Sequence, residues 1–148
     1  MLIFGSCLNG LFDNKESDLD LTIITATENH HSTLAKCRKE LDKHPNHYSK
    51  EKKLFWMKAG CQLELTMTFR GRQIKVDLLV NKYLEVLNSQ LIGTYCKLDR
   101  RYMEAALCLK RIFKSMDPEN KNNRLNSFSV YLLLLAFMIR DNYLPNLL

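Results

Sequence analysis

The sequence predicts an α+β fold, with strands in the first part of the chain and helices in the second. Two changes of texture carry this expectation. Up to about residue 80, short runs such as Cys61 to Phe69 and Gln73 to Val80 alternate apolar and polar residues with the period of a strand. After Asn81 the apolar residues recur at three- and four-residue spacing, the period of a helix. A third observation fixes where the chemistry lies. Phe4-Gly5-Ser6 is followed, after eleven intervening residues, by Asp18-Leu19-Asp20-Leu21. The expected division is 1–80 and 81–148.

Met1 to Phe4 reads as a first strand running into a Gly-Ser turn. Gly5 and Gly10 have the glycine spacing of a phosphate loop, but Leu11-Phe12 stands where Lys-Ser/Thr would be required, so a P-loop is excluded. Asp13 to Ser17 is polar and reads as a loop, and Leu19 to Ile24 as the second strand. Leu34, Cys37 and Leu41 predict an amphipathic helix over Asn29 to Lys43, capped by Ser32 or a neighbour and covering one face of a sheet. Leu54 to Met57, Cys61 to Phe69 and Gln73 to Val80 are strands, the last two joined as a hairpin across Arg70-Gly71-Arg72.

The second part is expected to hold three helices. The first runs from about Lys82 to Tyr95. The second follows Asp99 as N-cap, with an apolar stripe of Tyr102, Ala106, Leu109, Phe113 and Met116. Asp117 to Arg124 reads as a polar connector. Ser127 to Arg140 is the last helix, ended by Pro145; its apolar run from Phe128 to Ile139 is too short to span a bilayer and reads as buried.

On a strand, Asp18 and Asp20 project to one face and Leu19 and Leu21 to the other. Two anions set that close repel, and a divalent cation that also binds phosphate relieves the repulsion. Asp77 lies on the polar side of its strand with Gln73 and Lys75, opposite Val76, Leu78 and Val80; alone it reads as a solvent-facing aspartate, but beside Asp18 and Asp20 it is a third carboxylate. Glycine at position 5 allows close approach of backbone to a ligand, and the Ser6 hydroxyl with neighbouring N–H groups suits phosphate oxygens. Lys110 and Lys114 share a helix face, either as a solvated basic surface or around an anion. Ser127 and Phe128 open a helix, where free N–H groups attract phosphate and a ring can stack on a base; the alternatives are a capping serine and a core phenylalanine.

The formal charge of +6 fits a polyanionic partner without requiring one. Five cysteines, an odd number without a C-x-x-C pair, suggest neither a disulfide framework nor a zinc knuckle, and a reducing compartment follows. Neither a secretory signal nor a membrane span is evident, so the expected location is cytoplasmic, with the nucleus as the alternative. Nothing in the sequence indicates an oligomer.

Together these residues resemble the polymerase-beta-like nucleotidyltransferase superfamily, and within it the terminal uridylyltransferases and non-conventional poly(A) polymerases. Phe4-Gly5-Ser6 with Asp18-Leu19-Asp20-Leu21 matches the family's first signature, Val76-Asp77-Leu78-Leu79 its third-carboxylate strand, and Asn88 through Lys114 the helical region after the palm. The resemblance implies a palm, a mixed sheet with flanking helices, followed by a partial α-helical domain. It implies that Asp18, Asp20 and Asp77 are catalytic and bind Mg²⁺ or Mn²⁺. It further implies that Gly5, Ser6, Asn88, Lys110, Lys114, Ser127 and Phe128 bind the nucleotide. The implied partners are a nucleoside triphosphate, UTP or ATP, and an RNA 3′ end that attacks the α-phosphorus and releases pyrophosphate.

Relative to that family the chain lacks a helix before the first strand and stops early, so it is expected to be truncated at both ends. Phe113 replaces the usual tryptophan and Phe128 the usual tyrosine. A competing reading is a truncated, catalytically inactive relative that binds nucleotide or a partner. A small nucleotidyltransferase acting on a protein or a tRNA end is a third, disfavoured by the helical pattern from Asn88 to Lys114.

Overall fold

The structure, a computed structural model, describes residues 1–12, 17–26, 29–44, 53–57, 60–116 and 125–147, without the side chains of 55–57. The expected connector from Asp117 to Arg124 and most of the loop from Asp13 to Ser17 lie outside the described residues. The chain divides into two compact units, Met1–Gln90 and Leu91–Leu148.

The first unit is built on a five-stranded mixed sheet of order β1-β2-β5-β4-β3, formed by β1 (Leu2–Phe4), β2 (Leu19–Ile23), β3 (Lys53–Met57), β4 (Gly60–Phe69) and β5 (Arg72–Val80). β2 and β5 run parallel, whereas the other neighbours are antiparallel. The β4–β5 hairpin turns through Arg70 and Gly71, both with positive φ. A parallel pair needs a crossover, and here the chain between β2 and β5 supplies a helix and two further strands.

Alternation decides which face is covered. Leu63, Leu65, Val76, Leu78 and Val80 form the apolar core with Cys61 and Leu34, and Leu19, Leu21 and Ile23 pack against it. Leu34 belongs to α2 (His30–Leu41), whose Cys37 and Leu41 join the same core. The helix covers one sheet face, as the sequence predicts; its cap is Asn29, whose side chain accepts from the Ser32 amide, rather than Ser32 itself. The other face carries the carboxylates.

The opening segment departs from the expected turn. Between Gly5 and Gly10 the chain forms a one-turn helix, α1 (Ser6–Asn9), and Leu11 behind it is fully buried. β1 is an edge strand with Leu2 and Ile3 exposed, so it is not the core strand its apolar residues suggest.

Helix α3 (Tyr83–Leu98) extends one turn beyond its expected end and runs from the first unit into the second. The second unit also holds α4 (Arg100–Met116) and α5 (Ser127–Arg140). Asp99 accepts from the Arg101 amide at the start of α4, as expected of a cap. Tyr102 and Ala106 are fully buried, and the Tyr102 hydroxyl donates to the Tyr131 carbonyl on α5. Met116 is 73% exposed, so it drops out of the predicted stripe, while Lys110 is buried. α5 has its predicted limits but is only half covered: Val130, Tyr131, Leu135 and Met138 are buried, whereas Leu133 and Phe137 are exposed. It ends at Arg140, before Pro145. No described helix is long and apolar enough to cross a membrane.

Candidate active site

The parallel pairing of β2 with β5 sets the geometry of the carboxylates. Asp20 stands directly opposite Asp77, and Phe4 on β1 stands opposite Asp20 from the other side. Directly paired residues project to the same face, so both aspartates rise from the face not covered by α2. Asp18 lies just before β2, and its carbonyl accepts from the Cys7 thiol of α1 at 3.7 Å. Its charge reaches Asp77 and acts to raise that pKa.

Burial, foremost, lifts the Asp77 carboxyl above its ordinary range; a hydrogen bond from the Gln62 side chain opposes this, and the negative charges of Glu64 and Asp18 add to it. Glu64 is directly opposite Asp77 on β4, so one row across the sheet reads Asp20, Asp77, Glu64. Gln62 is buried, and its amide donates to Glu64 Oε1 at 3.3 Å. Both residues belong to the polar alternation of Cys61 to Phe69, which is the signal by which the sequence could have disclosed them.

Gly5 lies against Asp20. A Cβ added at Gly5 would overlap the Asp20 carboxylate, and its backbone (φ 67°, ψ −151°) is in a region essentially confined to glycine. The Gly5 amide donates to Ser89 Oγ at 2.8 Å, and that hydroxyl donates to the Glu85 carbonyl at 2.7 Å. Ser89 therefore ties the turn to α3. The Gly5 N–H is thus occupied, and the Gly5 carbonyl accepts from the Leu8 and Asn9 amides, both at 3.1 Å. Asn88, half-buried, precedes Ser89 on the same helix. Ser89 carries no sequence signal, being an isolated serine within a helix.

Thr22 shares the carboxylate face of β2, but it is fully buried and its hydroxyl accepts from the Lys82 amide at 3.0 Å. This bond leads the chain from β5 into α3. Among the described residues, no group of three His, Cys, Asp or Glu side chains converges to hold a metal ion.

The second unit has its own cleft of about 260 Å³, in which Phe113, Leu125 and Val130 supply apolar surface and Lys110, Lys114, Asn126 and Ser127 the polar groups. Lys110 and Lys114 point to one cleft, as their spacing predicts. Asn126, rather than Ser127, caps α5 by accepting from the Ser129 amide at 2.8 Å. Ser127 hydrogen-bonds the Tyr131 hydroxyl, whose pKa is nevertheless pushed up to about 12, chiefly by burial. Phe128 is half-buried on α5 and is not among the residues lining the cleft. None of Cys7, Cys37, Cys61, Cys96 and Cys108 is in a disulfide.

A mixed sheet with aspartates paired across its central parallel strands, beside a tight glycine turn, defines a nucleotidyltransferase palm. Residues 1–97 match the family model of the poly(A) RNA polymerase, mitochondrial-like, central palm domain, and the chain belongs to that family. Through that family its palm belongs to the polymerase-beta-like nucleotidyltransferase superfamily. No curated protein matches the chain. Among solved structures, it is similar to Cid1 poly(U) polymerase with MgGTP bound, at 24% identity and TM-score 0.72 over 93% of this chain and 42% of that one. A cytoplasmic RNA terminal U-transferase matches at 23% identity and TM-score 0.73, over 93% of this chain and 41% of that one. GLD-2 in its complex with RNP-8 matches at 22% identity and TM-score 0.75, over 93% and 49%. These likenesses concern the fold. The chain spans less than half the length of each of these structures.

Proposed function

We propose that this protein is a template-independent RNA 3′-terminal nucleotidyltransferase that adds UMP or AMP from the triphosphate. The observation that carries the proposal is the register of Asp20 against Asp77, with Asp18 close enough to act on Asp77 electrostatically. The donor set fits a divalent cation: carboxylate oxygens suit Mg²⁺ or Mn²⁺, and the repulsion from Glu64 and Asp18, which adds to burial in raising the Asp77 pKa, is what a cation would relieve.

Asp18, Asp20 and Asp77 would hold the metal, which supplies charge stabilisation for the phosphoryl group and lowers the pKa of the attacking 3′-hydroxyl. Asp77 helps activate that hydroxyl. Ser6 donates to triphosphate oxygens, Gly5 keeps the backbone clear of Asp20, and Asn88 meets the sugar. In the second unit, Lys110 and Lys114 attract phosphate charge, with Ser127 as a further donor, and Phe128 stacks on the base. The attacking oxygen forms a bond to the α-phosphorus as the bond to the β-phosphate oxygen breaks, and pyrophosphate leaves.

A supporting relative is Cid1 poly(U) polymerase, solved with MgGTP bound. Uridylate and adenylate remain alternative substrates, because relatives named for poly(U) and for poly(A) addition share the fold. A cytoplasmic setting is proposed from the sequence and from the cytoplasmic U-transferase relative. A second reading, a nucleotide-binding relative without transferase activity, is favoured by the lack of three converged metal-holding side chains among the described residues. Pyrophosphate release tests the choice. Release that requires RNA, a triphosphate and Mg²⁺ together supports the transferase; triphosphate binding without release supports the second reading.

A further inference from the structure

Gln62 is a buried polar side chain on the carboxylate face of β4, with 8% of its surface exposed. Its amide nitrogen donates to Glu64 Oε1 at 3.3 Å, and its side chain also hydrogen-bonds the Asp77 carboxylate. Residues two apart on a strand share a face, and the diagonal neighbour across an antiparallel pair is within reach of a long side chain. Gln62 is that diagonal neighbour of Asp77, because Glu64 is its direct partner.

This arrangement answers an electrostatic problem. Asp77 and Glu64 face each other as like charges, and such a pair is destabilising. The NH₂ group carries two protons, enough to donate to both carboxylates at once. A lysine or arginine there would also bridge them, but its full charge would compete with a divalent cation for Asp77. A neutral amide fixes the carboxylate and leaves its charge uncompensated.

Resting on the nucleotidyl-transfer reading above, we infer that Gln62 is a positioning residue: its carboxamide, bridging Glu64 and Asp77, holds the Asp77 carboxylate in place beside Asp20 for a divalent cation. Gln62 does not touch the reacting atoms. Its role passes through Asp77.

The test uses Mn²⁺ alone as probe, with binding read from the loss of the paramagnetic resonance signal of the free ion. Gln62→Met keeps the volume and removes both donors. The expected result is a wild-type circular dichroism spectrum with Mn²⁺ affinity lowered about tenfold or more, the size typical of lost outer-shell hydrogen bonds. Wild-type affinity in a folded Gln62→Met protein overturns the inference. A second measurement needs no Gln62 variant to fold: in nitrogen-15 spectra of otherwise wild-type protein, the Gln62 side-chain amide signals should shift on Asp77→Asn. Unmoved signals also overturn it. Failure of the wild-type protein itself to bind Mn²⁺ removes the nucleotidyl-transfer reading instead, and the amide signals still decide whether Gln62 holds Asp77.

Discussion

Gly5 and Asp20 pack so closely that no side chain fits between them: a Cβ at position 5 would occupy the space of the Asp20 carboxylate. The Gly-Ser turn and the Asp-x-Asp strand, eleven residues apart in sequence, are therefore parts of one construction. The Gly5 amide bonded to Ser89 and the Asp20 register with Asp77 extend it to α3 and β5.

Gly5→Ala should displace Asp20 and force a non-glycine residue into a strained backbone region. Such strain costs about 1–3 kcal/mol. The expected outcome is a stability loss of that order in urea unfolding, together with loss of RNA extension. A variant with unchanged midpoint and activity would show that the turn and Asp20 relax apart freely.

Asp77→Asn is expected to stabilise the metal-free protein at neutral pH while abolishing transfer. The Asp77 pKa is raised in the folded state from its ordinary value of 3.8. Below that ordinary value the carboxyl is protonated in both states and contributes nothing. As pH rises through the raised value the folded state must carry the charge, so wild-type stability falls relative to Asp77→Asn and the difference then levels off. Thermal unfolding of both proteins in chelator, from pH 3 to 8, measures this difference. Added Mg²⁺ should raise the wild-type midpoint and leave that of Asp77→Asn nearly unmoved.

Lys110→Ala should weaken triphosphate binding by about tenfold or more, the scale of one charge-assisted hydrogen bond. RNA binding should change less, since phosphate contacts to RNA are spread over many cations. Separate titrations with triphosphate and with an RNA oligonucleotide check this. An effect confined to RNA would reassign the lysine.

Much of this was legible in the sequence because it rests on short periods. The alternation around Asp77 placed it on the polar face, and the spacing of Leu34, Cys37 and Leu41 gave the helix that covers the other. Lys110 and Lys114 line one cleft because they are one helical turn apart. The strand order was not legible, since pairing β2 with β5 joins residues far apart in the chain. Nor was the helical turn Ser6–Asn9, four residues between two glycines, too short for any period to show. The alternation of β4 puts Gln62 on the polar face, but its bond to Asp77, like that of Ser89 to Gly5, joins residues that local sequence does not connect.

The most direct measurement is extension of a labelled RNA oligonucleotide by the purified, folded protein with Mg²⁺ and each nucleoside triphosphate in turn, beside Asp77→Asn. The account predicts stepwise addition from UTP or ATP by the wild-type protein and none by the variant. Extension that survives in Asp77→Asn, or no extension from any triphosphate, would contradict it.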